Sequence, residues 1–184
     1  MNNLRVAVLA GGPDAERNVS IDSGTAVADA LKSSSKYCVN FKVVDKLTLS
    51  DLIGMNADVI FPVLHGPYGE GGPLQELLEQ SGIPFVGSGS LAARNAMDKV
   101  VTKEIAKSAG LNTPKWCTVT NLEPCDLDAP LVLKPVDDGS SIDMAICKTN
   151  EEVIKARKQL HNKRESLLAE TYIEGDEVTV GIVD

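Results

Sequence analysis

Four segments concentrate the side chains able to do chemistry. Leu9-Ala10-Gly11-Gly12-Pro13-Asp14-Ala15-Glu16-Arg17-Asn18-Val19-Ser20 leaves an apolar run and enters a helix. Its glycine pair lets the backbone turn sharply beside a ligand, and the helix start offers amide donors to an anion. The pattern is not G-x-G-x-x-G, which ranks a nicotinamide enzyme low. Glu16, at the mouth of a sheet, is placed to bind an amine; taken alone it reads as an exposed acid near a helix start. His65-Gly66-Pro67-Tyr68-Gly69-Glu70-Gly71-Gly72 has the same setting, and its glycines permit close approach to a ligand. His65 is one of two histidines, as suited to capping or packing as to binding, while His161, on a charged helix, reads as solvated. No G-x-S-x-G elbow supports a serine hydrolase.

The third segment, Leu131-Val132-Leu133-Lys134-Pro135-Val136-Asp137-Asp138-Gly139-Ser140-Ser141, places a lysine inside an apolar strand. Such an ammonium needs a counter-charge, either a protein carboxylate or a ligand anion. With the amides and hydroxyls of the loop beyond, it would make a phosphate clamp. A Walker loop is excluded, because here the lysine precedes the glycine. In the fourth, Leu167-Leu168-Ala169-Glu170-Thr171-Tyr172-Ile173-Glu174-Gly175-Asp176-Glu177, an apolar run ends in an acid and a short connector leads to another. That spacing suits a nucleoside, with an apolar slot for the base and an acid for the ribose diol.

The elements that must position these residues follow from periodicity. Leu4–Leu9, Asn40–Val44 and Val59–Val63 read as buried strands alternating with helices at Val19–Leu31, capped by Ser20, and from Pro73 to before Gly82. Alternation of this kind predicts βαβ crossovers and a parallel sheet, with ligand groups beyond the carboxyl ends of its strands. A domain boundary is expected near residue 95. Beyond it come a charged helix at Asp98–Ala109, strands at Trp116–Thr120, Leu131–Lys134, Met144–Lys148, Leu167–Glu170 and Glu177–Val183, and a helix at Glu151–Leu160 capped by Thr149 or Asn150. That half reads as α+β and antiparallel.

The 184 residues suffice for one large or two small domains, and 43 % hydrophobic with 24 % charged residues excludes a disordered chain. A formal charge of -8, from 18 Lys+Arg against 26 Asp+Glu, argues against nucleic acid, so any anionic ligand must be held by local groups. No apolar run is long enough to cross a bilayer and no secretory signal is apparent; a cytoplasmic address follows. Cys38, Cys117, Cys125 and Cys147 match neither redox nor zinc spacings and read as reduced thiols.

Four motifs, taken together, resemble a family, the D-alanine:D-alanine ligases of the ATP-grasp fold, in chain order over nearly the whole sequence. Gly11-Gly12 with Ala15-Glu16-Arg17, Val19-Ser20 and Ser23-Gly24 resembles the family's opening motif, and His65-Gly66 with Gly69-Glu70 its second. Met97-Asp98-Lys99 resembles the third, and Lys134-Pro135 with Gly139-Ser140-Ser141 the fourth. The resemblance implies an α/β N-terminal substrate-binding domain with a parallel, Rossmann-like (pre-ATP-grasp) sheet over 1–95. An α+β central ATP-grasp domain with a mostly antiparallel sheet would follow over 96–184.

The family reaction is phosphorylation of one D-alanine carboxylate by ATP and attack of a second D-alanine on the acyl phosphate, for peptidoglycan precursors. The resemblance implies that Glu16 binds the first D-alanine's amino group, that Ser140 orients Glu16, and that His65 lies near the second D-alanine. Lys99, Lys134 and Ser141 would meet the ATP phosphates, Glu170 with Thr171 to Ile173 the adenine, and Glu177 the ribose. ATP and Mg²⁺ are the implied cofactors, D-alanine and ATP the partners, with neither nucleic acid nor membrane, and a homodimer by analogy.

Departures from the family pattern carry expectations too. Gly71 stands where Asp is usual, Glu76 where Gly is usual, and Asp143 replaces a glycine after Ser-Ser-hydrophobic. Asp137 and Asp138 add negative charge beside the phosphate loop, which opposes triphosphate binding. The family's C-terminal ATP-grasp region, with its arginine and Mg²⁺ ligands, is not matched, so no metal ligand is assigned. Losing even one preorganised donor slows catalysis about 10²- to 10³-fold, so the chain alone is expected to be inactive. The alternative is a non-catalytic nucleotide or amino-acid binding module.

Overall fold

A computed structural model describes residues 3–120 and 126–181. The chain divides into two compact units, one of Met1–Thr102 with Asp137–Gly139, the other of Lys103–Val136 with Ser140–Asp184.

In the first unit, β1 (Leu4–Gly11), β2 (Tyr37–Val44) and β3 (Val59–Pro62) form a sheet of order β2-β1-β3, and both pairings are parallel. Val6 through Ala10 are buried because helices cover both faces. On one face Val6 and Val8 pack with Ala28 and Leu31 of α1 (Arg17–Lys32). On the other, Ala7 and Leu9 pack with Leu52 of α2 (Leu49–Ile53) and with Leu74 and Leu78 of α4 (Pro73–Ser81). Short α3 (Gly66–Glu70) follows β3, and α5 (Ser90–Met97) precedes α6 (Lys99–Ser108), whose first turn groups with this unit.

Three of these helices are absent from the sequence reading, each for a local reason. α2 is only five residues long and rests on a capping box: Thr48 Oγ1 accepts from Asp51 N–H at 3.3 Å, and Asp51 Oδ2 accepts from Thr48 N–H at 2.8 Å. α3 forms against glycine's poor propensity because Glu70 and Asp14 accept amide hydrogens from Gly66 and Tyr68, both at 2.8 Å. α5 starts where the Ser90 amide and hydroxyl donate to Glu79, at 2.8 and 2.7 Å. Ser20 does not cap α1. It lies inside the helix, fully buried, and Glu16 occupies the N-cap position.

In the second unit, β4 (Trp116–Val119), β5 (Leu131–Pro135), β6 (Ala145–Cys147) and β7 (Leu167–Thr171) form a wholly antiparallel sheet of order β4-β7-β5-β6. Leu131, Leu133, Leu167 and Ala169 turn to the face covered by Val153, Ala156 and Leu160 of α7 (Asn150–Leu160). Thr149 caps α7 by accepting from Glu152 N–H at 3.3 Å. The strand expected at Glu177–Val183 does not form over its described part, 177–181, and 182–183 lie outside the described residues. Val178 and Val180 are 87 % and 82 % exposed there; β propensity without a neighbouring ladder makes no strand. Cys38, Cys117 and Cys147 form no disulfide, and Cys125 lies outside the described residues.

Candidate functional site

The first unit gathers its candidates at the carboxyl edge of the parallel sheet. Gly11 closes β1 at φ +97°, and a Cβ there would stand 2.6 Å from the Val44 carbonyl oxygen, so only glycine fits. The Gly11 amide donates to Ser20 Oγ at 2.8 Å, and the Ser20 hydroxyl donates to the Val63 carbonyl at 2.6 Å. One buried side chain thus ties the exits of β1 and β3. Arg17 Nη1 donates to the carbonyls of Gly12 (2.7 Å) and Val44 (2.9 Å) and to Asp45 Oδ1 (2.6 Å), which fixes the turn against β2.

Glu16, half-buried, opens α1 from this braced loop. His65 occupies the N-cap position of α3, its Nδ1 3.6 Å from Glu70 Oε1 and its Nε2 buried without a hydrogen-bond partner. Asp14, which sequence reasoning passed over, joins the two loops by accepting from the Tyr68 amide, and a Cβ on Gly66 would strike its side chain at 2.7 Å. Glu76, the acid where the family pattern has glycine, is paired with Arg94. Lys99 begins α6 and donates to the Asp138 carbonyl.

In the second unit, the sheet face opposite α7 carries charge. The register sets Lys134 opposite Leu168 and Glu170 opposite Val132, so Lys134 and Glu170 are diagonal neighbours on one face. Lys134 Nζ pairs with Glu170 Oε1. The counter-charge left open by the sequence is therefore a protein carboxylate. A second ammonium, unforeseen from sequence, completes the group: Lys103 Nζ of α6 lies 2.8 Å from Glu170 Oε2 and also donates to Thr113 Oγ1 at 2.6 Å and the Pro114 carbonyl at 3.3 Å. Burial pushes the Glu170 carboxyl up, but hydrogen bonds from Lys103 and Lys134, with their charges, outweigh it and hold the group below its ordinary range. One carboxylate between two ammoniums leaves a positive surplus on this face, which is what an anionic ligand needs.

Ser140 and Ser141 are exposed in the loop after β5, with φ of +52° and +56°. Asp143, at φ +53°, is neutralised by Lys163 at 2.6 Å and Arg164 at 3.4 Å. The hydrogen bond from Lys163 chiefly holds its carboxyl below the usual range. The negative charge that Asp143 adds where the family pattern has glycine is thereby largely cancelled. Thr171 ends β7, its amide donating to the Lys115 carbonyl at 2.9 Å, whereas Ile173 and Glu177 are exposed in the irregular segment beyond. His161 is not simply solvated: it ends α7 half-buried, its Nδ1 3.0 Å from the Arg164 carbonyl and its Nε2 buried.

Known proteins match this arrangement along the chain. The family model described as D-ala D-ala ligase N-terminus matches residues 40–88, and that described as D-ala D-ala ligase C-terminus matches 105–184. The D-alanine–D-alanine ligase of Pseudomonas entomophila (strain L48) is 41 % identical over 97 % of this chain and 58 % of its own length; that of Aquifex aeolicus (strain VF5) is 39 % identical over 98 % and 63 %. The crystal structure of D-alanine–D-alanine ligase from Bacillus anthracis superimposes with a TM-score of 0.83 at 33 % identity, covering 94 % of this chain and 58 % of that one. The same enzyme complexed with ATP gives 0.80 at 32 %, covering 95 % and 58 %. The chain thus spans about three-fifths of the curated relatives it matches. With one ligase model on each half and the fold shared throughout, the chain belongs to the D-alanine–D-alanine ligase family.

Proposed function

We propose that the chain supplies the D-alanine-holding and nucleotide-holding parts of an ATP-dependent ligase that makes the D-alanyl-D-alanine of peptidoglycan precursors. The observation that carries the nucleotide half is the Lys103–Glu170–Lys134 group, a positive surplus on the face of the antiparallel sheet opposite α7, with the Ser140 and Ser141 hydroxyls in the loop following Lys134. In the reaction the first D-alanine carboxylate oxygen attacks the γ-phosphorus, ADP leaves, and an acyl phosphate forms. The second D-alanine's amine then attacks the acyl carbon, phosphate departs, and the amine gives up a proton. Placement and charge stabilisation carry most of such a reaction.

Glu16 is assigned to the first substrate's ammonium and His65 to the second substrate, because both sit at the carboxyl edge of the parallel sheet, where such folds bind small molecules. Lys99, Lys134 and Ser141 are assigned to the phosphates, Glu170, Thr171 and Ile173 to the adenine, and Glu177 to the ribose. Ser140 keeps its expected catalytic role. These assignments rest on family membership, as does a homodimer; the domain limits 1–95 and 96–184 and a cytoplasmic address carry over from the sequence. Mg²⁺ is the family's expected metal. Among the described residues no group of three or more His, Cys, Asp or Glu is placed to hold a metal ion, and no step is routed through one.

The test is ATP binding by the 184-residue chain, followed by calorimetry, alongside ADP release in the presence of D-alanine. Lys134→Ala should weaken ATP by roughly 10- to 100-fold, the worth of a charge-assisted hydrogen bond, with the melting curve retained. Unchanged affinity would discard the phosphate role. ADP release by the chain is expected to be nil; binding with no turnover by any longer form would favour the binding-module reading over the ligase.

A further inference from the structure

Lys103 is more deeply placed than any other lysine tied to the candidate site. Its side chain is 9 % exposed, against 24 % for Lys134, and its ammonium meets three acceptors: Glu170 Oε2, Thr113 Oγ1 and the Pro114 carbonyl. Three acceptors match the three N–H bonds of an ammonium, so Lys103 is fixed where it stands. Lys134, on the same carboxylate, is the more exposed partner. If Glu170 had Lys134 alone, drawing that ammonium toward an anion would strand a buried carboxylate, a severe penalty.

We propose that Lys103 is a positioning residue for the nucleotide, a resident counter-charge that keeps Glu170 paired when Lys134 turns its ammonium to a phosphate oxygen. The proposal rests on the assignment of Lys134 to a nucleotide phosphate. Nothing is transferred except the partner: Lys134 exchanges a carboxylate oxygen for a phosphate oxygen, and Glu170 relies on the cation it retains. Lys103 touches neither phosphate nor substrate in this scheme; it acts through Glu170.

The test compares one substitution in two backgrounds on the 184-residue chain, with ATP affinity measured by calorimetry. Lys103→Met is expected to weaken ATP at least about tenfold when Glu170 is present, because Lys134 is then held back. In a Glu170→Gln background the same substitution should change affinity by less than about twofold, since no carboxylate remains to hold Lys134. Lys103→Arg, which keeps the charge and guards against a misfolded Met variant, should lie within a few-fold of the parent. Equal losses in both backgrounds, or Arg as poor as Met, would assign Lys103 a packing role and overturn the proposal. If Lys134→Ala weakens ATP and Lys103→Met does not, the partner exchange alone is lost. If Lys134→Ala is silent, the nucleotide assignment fails and the exchange falls with it.

Discussion

Left-handed backbone occurs at the candidate loops of both units, but the two fill it differently. In the first unit Gly11, Gly12, Gly66 and Gly72 take φ between +83° and +108°, beyond the range that suits side chains. Around Gly11, Gly66 and Gly72 other atoms stand within 3 Å of where a Cβ would be. In the second unit Ser140, Ser141 and Asp143 take φ of +52° to +56°, which short polar side chains tolerate, and Asp143 is held by Lys163 and Arg164. Sterics reserve the first loop set for glycine, beside the Arg17–Asp45 ion pair, whereas in the second the ion pairs hold Asp143. Sterics cannot be adjusted by solution conditions, whereas ion pairs respond to salt and pH.

The contrast is most directly broken at Gly11. Gly11→Ala should destabilise the first unit by about 3 kcal/mol, from φ strain plus the clash with Val44, as read by urea unfolding. A loss under about 1 kcal/mol would show that the turn can relax and that sterics do not fix it. Next, Ser20→Ala removes the buried hydroxyl that serves both Gly11 and Val63 and should destabilise by about 2 kcal/mol. Equal stability would mean the strand exits hold themselves.

In the second unit, Asp143→Gly should shift the melting temperature less than Ser20→Ala does, since backbone strain is relieved as the ion pairs go. Its signature should instead be faster amide exchange over 140–144 and a loss of the parent loop's sensitivity to added salt. Exchange unchanged by the substitution would mean that charge is not what holds this loop.

The smallest effect sharpens the comparison from the other side, at an ion pair in the first unit. Arg5 Nη2 lies 2.6 Å from Asp58 Oδ1, and the hydrogen bond from the Arg5 side chain chiefly holds the Asp58 carboxyl down at about 2. The unfolded carboxyl, near pKa ~3.9, then binds more protons than the native one as the solution is acidified. The contribution of the pair is therefore whole above about pH 4 and lost as pH falls through about 2. Asp58→Asn should flatten the stability profile between those values; an identical slope would show the pair to be inconsequential.

Much of the fold was legible because the relevant signals are local. The apolar stretch in β1 announced burial on both faces, and Thr149-Asn150 announced the start of α7, where the structure makes Thr149 the cap. Lys134 inside an apolar strand demanded a counter-charge, though only the antiparallel register chose Glu170 over an external anion. Lys103 was not legible. At four-residue spacing from Lys99 and Lys107 it reads as one more solvated cation on a helix face, and only tertiary packing turns it inward to Thr113 and Glu170. A sequence clue did exist, since an acid at the end of Leu167-Leu168-Ala169 needs a cation of its own. α3 stayed hidden because its helical turn depends on Asp14, 54 positions away from Tyr68.

The diagonal placement of Lys134 and Glu170 also bears on how the antiparallel sheet finds its alignment. Sliding β7 by one residue against β5 would rotate an ionised group into the layer occupied by Leu133, Ala169 and Val153, where no water awaits it. Mispaired intermediates thus carry a heavy electrostatic handicap, and the same ions that pair across the finished sheet also proofread the strands during assembly.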